Sequence, residues 1–216
     1  MKYYPIYLNI DGRPCTVIGG GEVGERKVFR LLECGAQVTV ISKTMTSPLE
    51  KLRVEGRIIC IESAYEARQI DGAFLVIGAT DDEAVNDRIC KDCRQKGIMV
   101  NIADDPARCD FILPALCERG DLSITISTAG KSPALAKQIS RELAVIYGEE
   151  YTVLVSIMGR LRDLVTVGRK PDESKKVFEA LLSSPILSAI KENRWDQVRQ
   201  IIRDVAGIDV DLSEGG

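Results

Sequence analysis

The apolar residues in the first half of the chain fall into short runs separated by longer segments with helical spacing. The runs at 16–18 and Gln37–Ile41 are rich in β-branched residues, which is typical of strands buried on both faces of a parallel sheet. Between them, Val28, Leu31 and Leu32 recur on one helix face. Three further strands are predicted, at Ile58–Ile61, 74–77 and 99–101. This alternation predicts an α/β fold, a Rossmann-like doubly wound parallel sheet whose ligand lies at the carboxyl ends of the strands.

The second half of the chain has a different pattern. Two more strands are predicted, at 111–113 and 122–127, and Ser132 is expected to cap a helix that has Pro133 at its first position. Four helices are predicted to follow, at 151–165, 172–183, 186–192 and 195–205. The acidic tail after Ile208 is expected to fray. We therefore divide the chain into a Rossmann domain at 1–112, a segment at 113–147 and a helical domain at 148–216.

The first strand ends in a glycine-rich turn, within the stretch CTVIGGGEVGERK at 15–27. Gly19, Gly21 and Gly24 have the GxGxxG spacing of dinucleotide-binding turns. In that fingerprint the first glycine permits a tight turn, the second lets the backbone approach a pyrophosphate, and the third allows close packing of helix on strand. The N–H groups and the dipole at the start of the following helix favour phosphate, so Glu22 and Val23 are expected to belong to the cofactor site.

The end of the second strand lacks the acidic residue that usually holds the ribose hydroxyls of a dinucleotide. The chain reads Ser42-Lys43-Thr44 at this point. Hydroxyl groups can form hydrogen bonds with the ribose here, and Lys43 can pair with a 2′-phosphate. These residues therefore leave the choice between NAD and NADP open. Thr80 follows the predicted strand at 74–77 and is expected to complete the cofactor site.

Composition limits the chemistry that the chain can perform. Its 216 residues include no histidine, so a general base has to be a carboxylate, Lys, Tyr or Cys, and histidine-based metal sites are excluded. The net charge of -3 gives no electrostatic reason to expect a nucleic-acid partner. The seven cysteines, an odd number, indicate reduced thiols and a cytoplasmic protein. No apolar run is long enough to span a membrane, and the amino end lacks the character of a secretory signal.

Five motifs occur in register along the chain: VIGGGEVGERK, LLECGAQVTVIS, IGATDDEAVN, VNIADDPARCDFILPA and ISTAGKSPALAKQISREL. Together they resemble the precorrin-2 dehydrogenase and sirohydrochlorin ferrochelatase family. Gly24 stands where the family usually has Ala, which still satisfies the fingerprint. The resemblance implies an NAD-dependent oxidoreductase of siroheme biosynthesis that converts precorrin-2 to sirohydrochlorin, and in some members the same site inserts ferrous iron. It also implies a homodimer joined largely through 113–147, the dimerisation segment.

The resemblance further implies roles for residues outside the glycine turn. The family aspartate falls on Asp104, in NIADDP, and is expected to be the general base for the proton lost in the oxidation. Thr128, in STAG, matches a hydroxyl position that lines the tetrapyrrole pocket. Asn101, Arg108 and Lys131 are further candidates for substrate binding, the two basic side chains for the carboxylates of this polyanionic substrate. No residue is assigned to a resident metal ion.

Other functions and roles stay open at this point. A nucleotide-sensing regulatory domain or another NADP-linked reductase can have the same fold, although such sensors normally carry the acidic residue after the second strand and do not need the Asp104 motif. Asp105 is either a second acidic candidate or a turn residue. Cys90 and Cys93 have the spacing of a redox or metal pair, but they lie within a predicted helix, which favours ordinary packing.

Overall fold

The computed structural model describes residues 3–210, which form two units. One unit ends at Leu113 and the other begins at Pro114. The division of the second unit into a dimerisation segment and a helical domain stays a prediction. The part of the acidic tail after residue 210 lies outside the described residues.

Five parallel strands form the sheet of the first unit. They are β1 (Pro14–Ile18), β2 (Gln37–Ile41), β3 (Ile58–Ile61), β4 (Leu75–Gly78) and β5 (Met99–Ile102). Their order is β3-β2-β1-β4-β5, and every neighbouring pair is parallel. The strand order changes direction at β1, which is the switch point where α/β sheets bind ligands beyond the carboxyl ends of their strands. The predicted Rossmann-like α/β fold is confirmed.

Helices cover both faces of this sheet. They are α1 (Glu22–Glu33), α2 (Ser47–Val54) and α3 (Glu83–Lys96). On one face, α1 and α2 pack against the strands in a first apolar cluster that includes Val28 and Leu49. On the other face, α3 packs in a second apolar cluster that includes Ile89, Cys90 and Cys93. The two cysteines of the CxxC spacing are therefore buried packing residues of α3.

The second unit opens with an antiparallel hairpin of β6 (Ala115–Arg119) and β7 (Leu122–Ile126). The predicted strand at 111–113 is wrong. These residues form a loop, and the carbonyl oxygen of Phe111 accepts a hydrogen bond from the side chain of Asn101 at 2.9 Å. The strand starts only after Pro114, which has no N–H group to donate to a ladder.

Helices make up the rest of the second unit. α4 (Pro133–Ile146) packs on the hairpin, and Ser132 caps it as predicted by accepting a hydrogen bond from the N–H of Leu135 at 3.3 Å. The remaining helices are α5 (Glu150–Val165), α6 (Pro171–Ser183), α7 (Ile186–Lys191) and α8 (Trp195–Ala206). They share one apolar cluster and confirm the four helices predicted from the sequence. Within 3–210, no helix has both the length and the apolar character needed to cross a membrane.

Candidate active site

Two glycines of the fingerprint are required by the packing of the turn itself. Gly19 has φ +115°, and a Cβ atom there would overlap the carbonyl oxygen of Ala79 at the end of β4. A Cβ atom on Gly24 would overlap the carbonyl oxygen of Gly19. The first glycine therefore lets β1 turn close to β4, and the third brings α1 down onto that turn.

Gly21 differs from both, because a Cβ atom there would meet nothing within 4 Å. It is the N-cap of α1 and has an extended backbone, with φ -79° and ψ -175°. No side chain of the described residues caps this helix start, so the N–H groups of its first turn are left without a side-chain acceptor. This is the arrangement that receives a pyrophosphate, and the residues present fit a dinucleotide. Glu22 is exposed and Val23 is half-buried beside this opening.

The loop after β2 folds onto the glycine turn. The N–H of Thr46 donates to the carbonyl oxygen of Gly20 at 3.0 Å, and a Cβ atom on Gly20 would overlap the carbonyl oxygen of Thr44. Ser42 is half-buried, whereas Lys43 and Thr44 are exposed. The structure thus brings the predicted ribose-binding loop against the predicted pyrophosphate turn.

A row of backbone hydrogen bonds continues past the strand ends and aligns the loops that carry the predicted site. The N–H of Gly19 donates to the carbonyl oxygen of Ile41 at 2.9 Å, and the N–H of Ala79 donates to that of Ile18 at 2.7 Å. In the same row, the N–H of Ala103 donates to the carbonyl oxygen of Gly78 at 2.8 Å. Asp104 comes directly after this last bond, so it lies on the same sheet edge as the glycine turn, about 10 Å away at the usual strand spacing.

Asp104 occupies an unusual backbone conformation. Its φ is +62°, in the left-handed region that few residues other than Gly, Asn and Asp adopt. The turn is closed by a hydrogen bond from the N–H of Asp105 to the carbonyl oxygen of Ile102, at 3.2 Å, and the Asp104 side chain is exposed. Non-glycine residues with positive φ are concentrated at functional sites, so the conformation itself supports a role for this residue.

Lys27 interacts electrostatically with Asp104 and is a residue that the motifs did not predict as part of the site. It is half-buried on α1, one turn after Gly24. Burial lowers the pKa of Lys27, the neighbouring Arg26 lowers it further, and the negative charge of Asp104 acts in the opposite direction. The charges of Lys27 and Asp104 therefore interact, although the two side chains form no ion pair among the described contacts. The only sequence signal is the Lys in GERK, which on an amphipathic helix looks like an ordinary exposed residue.

Thr80 and the loop after β4 are held by α3. The hydroxyl oxygen of Thr80 accepts a hydrogen bond from the N–H of Asp82 at 3.2 Å, and its carbonyl oxygen accepts one from the side-chain nitrogen of Asn86 at 3.1 Å. Asn86 is only 3% exposed, and the sequence analysis did not single it out as a site residue. Its amide fixes the backbone of Thr80 at the switch point.

Arg108 is engaged by three carboxylates of its own unit. Its guanidinium forms ion pairs with Glu83, with Asp87 at 3.0 Å and with Asp105 at 3.1 Å. These contacts tie the short 3-10 helix Pro106–Arg108 to α3. Asp105 also accepts from the N–H of Ala107 at 3.0 Å, so it caps this 3-10 helix. The role of Arg108 as a substrate ligand stays a prediction.

Asn101 is directed into the protein. It is 7% exposed, and its side-chain nitrogen donates to Sγ of Cys109 at 3.3 Å and to the carbonyl oxygen of Phe111 at 2.9 Å. It therefore holds the loop that follows Asp104, and substrate binding by Asn101 stays a prediction. Cys109, which the sequence analysis did not single out, is the centre of this loop.

Thr128 and Lys131 belong to the second unit, in the turn before α4. The hydroxyl oxygen of Thr128 accepts from the N–H of Ser132 at 3.0 Å, and its carbonyl oxygen accepts from the N–H of Lys131 at 3.0 Å. Ala129 and Gly130 between them have positive φ, +52° and +81°. The hydroxyl of Thr128 thus shapes this turn, and the Lys131 side chain is exposed. Their roles in substrate binding stay predictions.

Two family models match the chain in order. The model described as "Putative NAD(P)-binding" matches residues 6–115, and the model described as "Sirohaem biosynthesis protein central" matches residues 119–145. The first covers the whole parallel sheet, the glycine turn and Asp104. The second covers the hairpin from its turn onward and most of α4.

Individual proteins match over nearly the whole chain. The siroheme synthase of Methylobacillus flagellatus is 33% identical over 207 residues, which are 94% of this chain and 44% of that protein. The siroheme synthase of Mannheimia succiniciproducens is 30% identical over 222 residues, 100% of this chain and 47% of that protein. The chain thus spans less than half the length of these relatives.

A solved structure is also similar. The chain named SirC, precorrin-2 dehydrogenase, superimposes with a TM-score of 0.79 and 26% sequence identity, covering 93% of this chain and 100% of that one. This match extends over the parallel sheet and the helical remainder, and it agrees with the resemblance that the motifs indicated. The first model covers half of the chain, so the chain belongs to the family described as "Putative NAD(P)-binding", and the segment that follows is similar to the central part of sirohaem biosynthesis proteins.

Proposed function

We propose that the chain oxidises precorrin-2 to sirohydrochlorin and passes the hydride to NAD. The observation that carries the proposal is the row of hydrogen bonds along the sheet edge, which sets Asp104 on the same edge as a glycine turn that fits a dinucleotide. The names of the relatives, siroheme synthase and precorrin-2 dehydrogenase, support this reaction.

The cofactor is held by three loops of the first unit in this proposal. Gly21 and the N–H groups of Glu22 and Val23 receive the pyrophosphate, Ser42 and Thr44 bond the ribose hydroxyls, and Thr80 borders the site at the switch point. When bound, NAD supplies the acceptor for the hydride. The loop after β2 offers hydroxyls and carries no acidic side chain, so NAD binding rests here on Ser42 and Thr44.

Asp104 acts as the general base in this proposal. The oxidation removes one hydride, which carries both electrons to the nicotinamide, and one proton. The products are sirohydrochlorin, the reduced nicotinamide and H⁺. With no histidine in the chain, the exposed carboxylate of Asp104, which interacts electrostatically with Lys27, is the group suited to take the proton. Lys27 contributes a positive charge at the point where a tetrapyrrole carboxylate approaches.

The test is anaerobic incubation of the purified chain with precorrin-2 and either dinucleotide, followed by absorbance. We expect sirohydrochlorin to form with NAD, and NAD to bind more tightly than NADP in a titration. Tighter NADP would overturn the cofactor assignment and implicate Lys43. Absence of turnover with both dinucleotides, with binding intact, would favour a nucleotide-sensing role.

The decisive variant is Asp104→Asn. Asn tolerates the left-handed conformation at this position, so the turn is kept and only the basic oxygen is lost. Turnover should fall by about a hundred- to ten-thousandfold, the usual effect of losing a general base, and NAD affinity should barely change. Asp105→Asn is the matched control. Asp105 caps the 3-10 helix, and an Asn side chain can accept the same hydrogen bond from the N–H of Ala107. A larger loss in Asp105→Asn would move the base to that residue.

Ferrous iron insertion, a homodimer and a cytoplasmic location stay predictions. Within residues 3–210, no group of three or more His, Cys, Asp or Glu side chains is arranged to hold a metal ion. Iron insertion would therefore use the tetrapyrrole nitrogens as the metal's ligands, with Asp104 taking their protons. If only iron insertion fails in Asp104→Asn, the carboxylate serves the metal step alone.

A further inference from the structure

The thiol of Cys109 contacts the backbone on both sides of the turn that carries Asp104. Its sulfur accepts a hydrogen bond from the N–H of Ile102 at 3.2 Å and lies 3.3 Å from the carbonyl oxygen of the same residue. It also lies 3.1 Å from the carbonyl oxygen of Asp105. These contacts reach the backbone two residues before Asp104 and one residue after it. One side chain thus fixes both ends of the turn.

The same sulfur is fixed from the other side by Asn101. The buried side-chain nitrogen of Asn101 donates to Sγ of Cys109 at 3.3 Å, while it also donates to the carbonyl oxygen of Phe111. A thiol has one proton to donate and weak acceptor capacity, so the two carbonyl oxygens share that proton while two N–H donors face the sulfur. The loop from Asn101 to Phe111 is therefore organised around this atom.

The conformation of Asp104 explains why such a contact is needed. Asp enters the left-handed region more readily than most residues but populates it sparsely, so φ +62° persists where the surroundings support it. The backbone supplies one hydrogen bond across the turn, from Asp105 to Ile102, at 3.2 Å. The contacts of Cys109 with these same two residues reinforce it.

We propose that Cys109 is a positioning residue, whose thiol holds the turn at Asp104 in the geometry that proton transfer requires. The inference rests on the proposed function, because it takes Asp104 as the base. Cys109 does not touch the reacting atoms in this proposal, and acts through the backbone of Ile102 and Asp105.

Simple packing is the competing explanation for Cys109. It borders the second apolar cluster, and a residue that only fills space there can be replaced by an apolar side chain of similar size. Two variants separate the explanations. Cys109→Val keeps the site filled with apolar atoms, with a slightly larger side chain, and loses the hydrogen bonds, whereas Cys109→Ser keeps a donor and an acceptor and loses apolar volume. Cys93→Ala is a control for the loss of a buried sulfur from the same cluster.

The experiment measures kcat and KM for precorrin-2, the Kd for NAD and amide hydrogen exchange in each full-length variant. We expect Cys109→Val to lower kcat by about tenfold to a hundredfold, as a displacement near 1 Å does, with the Kd for NAD unchanged. Exchange at Ile102 and Asp105 should accelerate in this variant. Cys109→Ser should recover most of the loss in kcat, and Cys93→Ala should keep the parental kcat.

The outcomes distinguish this inference from the proposed function. If the parent chain oxidises precorrin-2 and Cys109→Val matches it in kcat, the positioning role is overturned and the function stands. If Cys109→Ser is as slow as Cys109→Val, the sulfur acts through packing and the inference is likewise overturned. If the parent chain does not oxidise precorrin-2, the proposed function fails and the positioning role fails with it.

Discussion

Gly21 is separated from the other glycines of its fingerprint by what surrounds each of them. Cβ atoms at Gly19 and Gly24 would overlap backbone, whereas one at Gly21 would meet open space and would suit the extended backbone there. We therefore expect Gly21→Ala to cost less thermal stability than Gly24→Ala, since only a helix cap is weakened, and to weaken NAD binding, because the methyl group occupies the place of the pyrophosphate. Thermal unfolding and an NAD titration measure the two effects.

Gly24→Ala is the comparison for this variant. It should lower the melting temperature, because α1 has to move away from the carbonyl oxygen of Gly19. Parental NAD affinity in Gly21→Ala would mean that the pyrophosphate does not lie at the start of α1. A large loss of stability in that variant would instead make Gly21 a packing residue.

Lys27 illustrates a residue whose charge opposes stability. Burial lowers its pKa in the folded chain, so the unfolded chain binds more protons between the folded pKa and the ordinary value of 10.5, and stability rises with pH across that window. Lys27→Met removes the buried charge and keeps the length of the side chain. We expect a slightly higher melting temperature at neutral pH and a higher KM for precorrin-2.

A control for Lys27→Met is Lys51→Met, which removes an exposed cation from α2. This control should leave both quantities near the parental values. A melting temperature that falls in Lys27→Met, with KM unchanged, would show that the interaction with Asp104 stabilises the fold and serves no substrate.

At the scale of elements, the 3-10 helix Pro106–Arg108 is tied to α3 through Arg108 and its three carboxylates. If this tie is the role of Arg108, Arg108→Gln should slightly lower the melting temperature and lower kcat, because the loop next to Asp104 loosens. If Arg108 binds a substrate carboxylate, KM should rise and stability should stay. A rise in KM is expected from the predicted substrate role, and the three ion pairs make the loss of kcat and stability the competing outcome. Steady-state kinetics together with thermal unfolding distinguishes the two.

The strands of the first unit and the helices of the second were predictable because each has a strong apolar period. α2 was not predicted, because it is short and Leu49 and Leu52 are its only buried residues. The strand before the hairpin turn was predicted at 111–113, because the apolar run lies before Pro114, whereas β6 begins after that proline. Hairpin strands with partly buried, mixed side chains, such as Leu116 to Glu118, carry a weaker pattern than the strands of the parallel sheet.

The candidate site was predictable where a motif identifies a residue and hidden where a role depends on side-chain contacts that no motif records. The glycine turn stands out by its spacing after a strand, and Asp104 stands out because NIADDP resembles the family motif. Three other residues do not stand out in this way. The thiol of Cys109 and the amide of Asn86 bond nearby backbone, and these bonds follow from loop conformations that no sequence pattern indicates. The interaction of Lys27 with Asp104 joins α1 to the end of β5 and follows from the topology of the sheet.

At the scale of the whole molecule, the second unit exposes apolar surface within the predicted dimerisation segment. Val145 and Ile146, at the end of α4, are 84% and 63% exposed, and the hairpin sheet consists of β6 and β7 alone. Exposed apolar side chains next to a sheet with open edges favour association. We therefore expect the parent chain to sediment as a dimer at micromolar concentration, as the resemblance implies.

The variant that tests this interface is Val145→Glu combined with Ile146→Glu, which places two charges on the apolar end of α4. Desolvating unpaired carboxylates opposes association, so this variant should sediment as a monomer while its circular dichroism stays that of the parent. Val167→Glu is the control, because Val167 is 77% exposed but lies outside the dimerisation segment, and it should remain a dimer. A monomeric parent would contradict the dimer itself. A dimeric double variant would leave the dimer standing and would move its interface away from the end of α4.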